Sequence, residues 1–80
     1  MPTPIETPEH LGNVVRHNRK ALRLTQPQLA LAAGVGVRFI VDLEAGKPTV
    51  RLENVLRVLQ ALGATLSVSG ADDSQTQAGP

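Results

Sequence analysis

The sequence predicts an all-α domain of four short helices, followed by one short β-strand. Four consecutive stretches carry helix start signals or apolar residues at helical spacing, and Gly34, Gly46 and Gly63 follow the last three. Residues 64–69 then alternate between apolar and polar side chains, which is the period of a strand. With 80 residues, the chain forms at most one domain with a thin core.

The first helix is expected to begin with Thr7 as its N-cap and Pro8 in its first position, and to run to about Arg23. Its apolar side carries Leu11, Val14, Val15 and Leu22. Its opposite side carries the basic residues Arg16, His17, Lys20 and Arg23.

The second helix has the clearest start signal, because Thr25 and Gln28 form an S/T-x-x-E/Q capping box. It is predicted over residues 26–33 and closed by Gly34. A short turn leads to a third helix with the apolar residues Phe39, Ile40 and Leu43, ending at Gly46. The result is a pair of short helices joined by a tight glycine turn.

The fourth helix spans the apolar repeat from Leu52 to Leu62, with Thr49 as a candidate N-cap. The strand that follows places Ala64, Leu66 and Val68 on one side. No second strand is predicted, so the simplest partner is the same strand of a second copy, antiparallel across a two-fold axis. The alternative is an irregular segment that packs Leu66 onto the fourth helix.

Both ends of the chain are predicted to be mobile tails. Residues 1–8 hold three prolines, and residues 70–80 hold nothing large to bury. The predicted folded unit is therefore residues 9–69, with the strand at 64–69 used for dimerisation.

The basic residues are concentrated in the centre of the chain. The net charge is only +1, but residues 16–57 hold eight basic and three acidic residues, a local charge of +5. This pattern indicates a polyanionic partner, although ordinary surface charge explains it as well. The chain has no cysteine, which leaves His10 and His17 as the soft ligands, so no metal or cofactor is predicted.

Other functional classes find little support in the sequence. No apolar run approaches the roughly 20 residues of a membrane span, and the N-terminus lacks signal-peptide features, so a cytoplasmic protein is expected. No nucleophile motif, P-loop or paired carboxylate points to catalysis. The chain is predicted to have no catalytic residues and not to be an enzyme.

The stretch LTQPQLALAAGVGVRFIVDLEAGK resembles the motif of Xre/Cro regulators, a family that includes phage repressors. The matching features are a Thr-Gln opening, Leu-Ala, Gly-Val, an Ile and Leu-Glu-x-Gly-Lys. The resemblance covers residues 11–63 and implies a four-helix Cro/C1-type helix-turn-helix domain. In such domains the second helix of the motif enters the major groove of double-stranded DNA.

The resemblance implies that the outer face of the third helix reads bases through Gly36, Val37, Arg38, Val41 and Asp42. Arg38 can form a bidentate contact with guanine, or reach only a phosphate. Asp42 can accept from cytosine, repel phosphate, or orient Arg38 at i and i+4. Gly36 stands where Ser or Thr commonly caps this helix, so the helix start is expected to be less anchored.

The resemblance also implies phosphate contacts from Gln26, Gln28 and Lys47. Gln26 can instead be a favourable first-turn residue, and Lys47 can complement the end of the third helix. Arg19 and Glu44 correspond to a partly buried ion pair that joins the first and third helices in phage repressors.

The stretch RFIVDLEAGKPTVRLENVLRVLQALGATL is similar to HipB-like antitoxins. That similarity implies a homodimer that represses its own operon at inverted repeats and holds a HipA-like kinase toxin inactive. Two alternatives remain open, a stand-alone Xre-type regulator and a small dimeric protein-interaction module without a DNA role.

Overall fold

The computed structural model describes residues 3–70, which form four α-helices. These are α1 (Pro8–Ala21), α2 (Gln26–Ala33), α3 (Val37–Glu44) and α4 (Leu52–Ala61). The prediction of an all-α, four-helix domain is confirmed. Residues 1–2 and 71–80, which hold most of the predicted C-terminal tail, lie outside the described residues.

The core forms where α3 packs against both α1 and α2, and where α4 packs against α2. Its fully buried side chains are Val15, Leu29, Ile40, Leu43 and Val58. Two of these belong to α3, so one side of that short helix is fixed in the core. The other side is thereby turned to solvent.

The first helix begins as predicted and ends two residues before the predicted Arg23. Thr7 Oγ1 accepts from the His10 backbone N–H at 3.0 Å, with Pro8 in the first turn. The end differs because Arg23 takes a left-handed φ of +61°, which lets the Leu24 N–H donate to the Arg19 carbonyl at 3.1 Å. Leu22 lies in this turn and is 52% exposed, so it does not extend the apolar side of α1.

The second helix has the predicted bounds and the predicted capping box. Thr25 Oγ1 accepts from the Gln28 N–H at 3.1 Å, and Gln28 Oε1 accepts from the Thr25 N–H at 2.8 Å. Gly34 ends the helix in a left-handed conformation with φ of +72°. Both ends are therefore fixed by local chemistry that the sequence states openly.

The candidate N-cap of α4 is wrong. The cap is Arg51, which makes no side-chain capping bond, and Thr49 lies two residues earlier in the preceding turn. The first turn of α4 contains Glu53, whose charge is favourable at the positive end of a helix. The start of α3 at Gly36 likewise has no side-chain cap, as expected for glycine.

Residues 64–69 form neither helix nor strand within the single chain. Leu66 and Val68 are 52% and 74% exposed, whereas Ala64 is partly buried against the core. Leu66 lines a shallow groove with Leu56 and Leu59 of α4 but keeps half of its surface. The predicted strand pairing requires a second copy, so it stays a prediction.

Candidate nucleic-acid interface

The outer side of α3 presents a short and accessible surface. Val37 is 43% exposed, the Arg38 side chain is 85% exposed, and Gly36 at the helix start is exposed. Val41 and Asp42 are partly buried at the flanks of this surface. A helix of eight residues is about 12 Å long, which suits the major groove of B-DNA.

Asp42 lies between two cationic side chains. Arg38 Nε is 3.2 Å from Asp42 Oδ1, and Lys47 Nζ is 3.7 Å from Asp42 Oδ2. The backbone N–H of Lys47 also donates to the Asp42 carbonyl at 3.0 Å. The structure therefore brings together two predicted base-reading residues and one predicted phosphate contact.

Arg19 and Glu44 form a buried ion pair between α1 and the end of α3. Arg19 Nε is 2.7 Å from Glu44 Oε2, and Arg19 Nη2 donates to Glu44 Oε1 at 3.0 Å. A third donor, Arg19 Nη1, reaches the Leu24 carbonyl at 2.7 Å. The hydrogen bond with Glu44 raises the pKa of Arg19, against the desolvation that lowers it, and the charge of Glu44 adds to the increase.

Gln26 belongs to the same network. Its Nε2 donates to Glu44 Oε1 at 3.1 Å, so the start of α2 is tied to the end of α3. The side chain is partly buried, unlike Gln28, which is exposed and occupied by the capping box. Of the three predicted phosphate contacts, Gln26 is thus oriented by other side chains, and Lys47 is half exposed beyond α3.

Gly12 determines how closely α1 approaches α3. A Cβ at this position would lie 2.5 Å from the Leu43 carbonyl oxygen and 2.8 Å from that of Glu44. Backbone atoms cannot yield as side chains do, so only glycine fits here. This contact, which the sequence analysis did not single out, sets the distance over which Arg19 reaches Glu44.

Arg16 is a candidate functional residue that the sequence analysis did not assign to the site. It is exposed, and it lines a polar depression shared with Gln26 of α2 and Val41 of α3. The signal was available, since Arg16 precedes Arg19 by three residues and therefore lies near it on α1. Within residues 3–70, Arg16, Lys20 and Arg23 have no acidic partner, which leaves this side of the domain positively charged.

The part of the chain that the structure describes holds no helix long and apolar enough to cross a membrane.

Comparisons with known proteins agree with this geometry. The helix-turn-helix family HTH_3 matches residues 15–68. A relative from Sinorhizobium fredii, named as an uncharacterized HTH-type transcriptional regulator, y4mF, is 55% identical over 64 residues. That match spans 80% of this chain and 84% of the relative.

Solved structures of HipB share the fold. A HipB-O4 20mer complex matches with a TM-score of 0.78 and 25% identity, over 86% of this chain and 97% of that chain. A HipA-HipB-O2-O3 complex matches with a TM-score of 0.78 and 24% identity, over 85% and 96% of the two chains. This chain belongs to the helix-turn-helix family of DNA-binding transcriptional regulators and has the fold of HipB.

Proposed function

We propose that this chain is a repressor that binds an inverted-repeat operator as a homodimer, with α3 in the major groove. The observation that carries the proposal is the two-sided character of α3. Ile40 and Leu43 fix one side in the core, while Val37 and Arg38 stand exposed on the other. A reading helix needs this combination of a rigid base and accessible side chains.

The exposed residues divide by their chemistry into base and phosphate contacts. Arg38 is the long donor on the outer face, suited to guanine O6 and N7, and Val37 can contact a thymine methyl group. Lys47 and Arg16 lie outside this face and suit phosphates, which position the protein on the duplex. Gln26 and Gln28 stand in the first turn of α2, where backbone N–H groups also favour an anion.

The proposed dimer uses the segment 64–69. Leu66 and Val68 are exposed apolar residues, and Leu66 continues into the groove lined by Leu56 and Leu59. Pairing two such segments antiparallel would satisfy their backbone groups and cover these side chains. Because two-fold symmetry in the protein is matched by two-fold symmetry in the DNA, the operator is expected to be an inverted repeat.

We also propose that the regulator is the antitoxin of a HipA-like kinase toxin. The support is the likeness to HipB, including a structure whose description names HipA and HipB together. A kinase-like reading frame next to this gene, and co-purification of its product with this chain, are the expected findings. Without such a neighbour, the stand-alone regulator becomes the better interpretation.

The central experiment is a footprint on the promoter of this protein's own gene, followed by a salt titration. We expect protection of an inverted repeat. A dimer that contacts about 8 phosphates should give a slope of log K against log salt near −7, or roughly 0.9 per phosphate. Absence of protection and of any salt-dependent DNA binding would leave the protein-interaction module as the function.

A further inference from the structure

We propose that Asp42 is the residue that sets sequence specificity, by holding Arg38 and Lys47 and not by contacting DNA itself. This inference rests on the proposed function and assigns a role within the same interface. Its basis is that the two carboxylate oxygens of Asp42 face two different cations, Arg38 Nε at 3.2 Å and Lys47 Nζ at 3.7 Å.

Asp42 is the fixed member of this trio. Its side chain is 22% exposed, against 85% for Arg38 and 52% for Lys47. An arginine as exposed as Arg38 has many rotamers, and ordering them on DNA costs binding free energy. A carboxylate that engages Nε before DNA arrives removes part of this cost. It also leaves both Nη groups of Arg38 for the two acceptors of guanine.

The same carboxylate restrains binding to the wrong sequences. Arg38, Lys47 and Asp42 together carry one positive charge, where the two cations alone would carry two. Non-specific binding depends almost wholly on such charges, whereas base recognition depends on their placement. Asp42 therefore weakens contacts with any duplex and favours the one in which Arg38 meets a guanine.

The chain contains a matched control for the charge alone. Glu53 on α4 also contacts two cations, Arg51 at 3.6 Å and Arg57 at 3.5 Å. Its side chain is 62% exposed, and none of the proposed DNA contacts lies on α4. Glu53→Gln and Asp42→Asn therefore remove equal charge from similar arrangements, but only the second alters the outer face of α3.

The test starts with selection of duplexes from a randomised pool by the wild-type dimer. Dissociation constants are then measured for the selected duplex and for a scrambled one at a fixed salt concentration. Asp42→Asn should bind the scrambled duplex more tightly, and its ratio between the two duplexes should fall by about tenfold, within the range of one bidentate guanine contact. Glu53→Gln should keep the wild-type ratio.

A double-mutant cycle separates holding from direct reading. In an Arg38→Ala background, Asp42→Asn should cause no further loss of the ratio. An additional, independent loss would mean that Asp42 reads a base itself and would overturn the inference. Circular dichroism checks that the variants fold, and Asp42→Ala replaces Asp42→Asn if the latter does not.

The two levels of the hypothesis fail in different ways. If the wild-type protein enriches no sequence, the proposed function is lost and the role of Asp42 with it. If it enriches a sequence and Asp42→Asn keeps the full ratio, only the role of Asp42 is wrong.

Discussion

Arg19 Nε lies 2.7 Å from Glu44 Oε2, and this pair links α1 to the end of the helix proposed to read DNA. The two side chains are 9% and 5% exposed, so water screens their interaction little. Through Gln26, which also donates to Glu44, the pair extends to the start of α2. One carboxylate thus fixes the relative positions of three helices.

Removing this carboxylate should destabilise the domain strongly. Glu44→Ala leaves the buried Arg19 without its partner, and we expect the free energy of unfolding to fall by about 3 kcal/mol. Urea denaturation followed by circular dichroism measures this change. Glu53→Ala, which breaks exposed pairs on α4, should cost less than about 1 kcal/mol. Equal losses in the two variants would contradict the role assigned to Glu44.

Gly12→Ala should also destabilise the protein, although alanine favours helices. The added Cβ would meet the Leu43 carbonyl oxygen at 2.5 Å, so α1 must move away from α3. We expect a loss of about 1–3 kcal/mol, which exceeds the gain of about 1 kcal/mol in helix propensity. Asn13→Ala, at the exposed next position of α1, is the control and should be neutral or slightly stabilising. A raised melting temperature for Gly12→Ala would refute the close approach.

Arg23→Gly is expected to stabilise the protein. Arg23 holds a φ of +61°, a conformation that costs a residue with a Cβ about 1–2 kcal/mol. Glycine removes this strain but adds entropy to the unfolded chain, so the net gain should be about 0.5–1 kcal/mol. Lys20→Gly, within the regular part of α1, should instead lose about 1 kcal/mol. Opposite signs for the two substitutions, measured by thermal unfolding, are the expected result.

The sequence predicted those parts of the fold that local chemistry determines. The capping box at Thr25 and the left-handed Gly34 define α2 without help from the rest of the chain. The end of α1 was placed too late because Arg23 takes a role usually given to glycine, and an arginine carries no signal for it. Gly12 was missed because its importance comes from a helix distant in sequence.

The site shows the same division. The exposed outer face of α3 agrees with the helical period of Ile40 and Leu43, so Val37 and Arg38 could be placed there in advance. The contact of Arg38 with Asp42 follows from their i, i+4 spacing. Lys47 adds to it from beyond the helix, and only the path of the turn brings its side chain back. Arg16 joins Gln26 and Val41 through tertiary packing alone.

Leu66→Asp should separate the proposed dimer, because the pairing of segments 64–69 would place a charge where apolar side chains meet. Leu66 is 52% exposed in the single chain, so the substitution should leave the monomer folded. We expect dimerisation to weaken by at least about tenfold, since that requires only about 1.4 kcal/mol, and operator binding to weaken with it. Thr65→Asp introduces the same charge on the opposite side of the alternating segment and should leave the dimer intact. Sedimentation equilibrium measures both variants, and a Leu66→Asp protein that remains as dimeric as the wild type would rule out this segment as the interface.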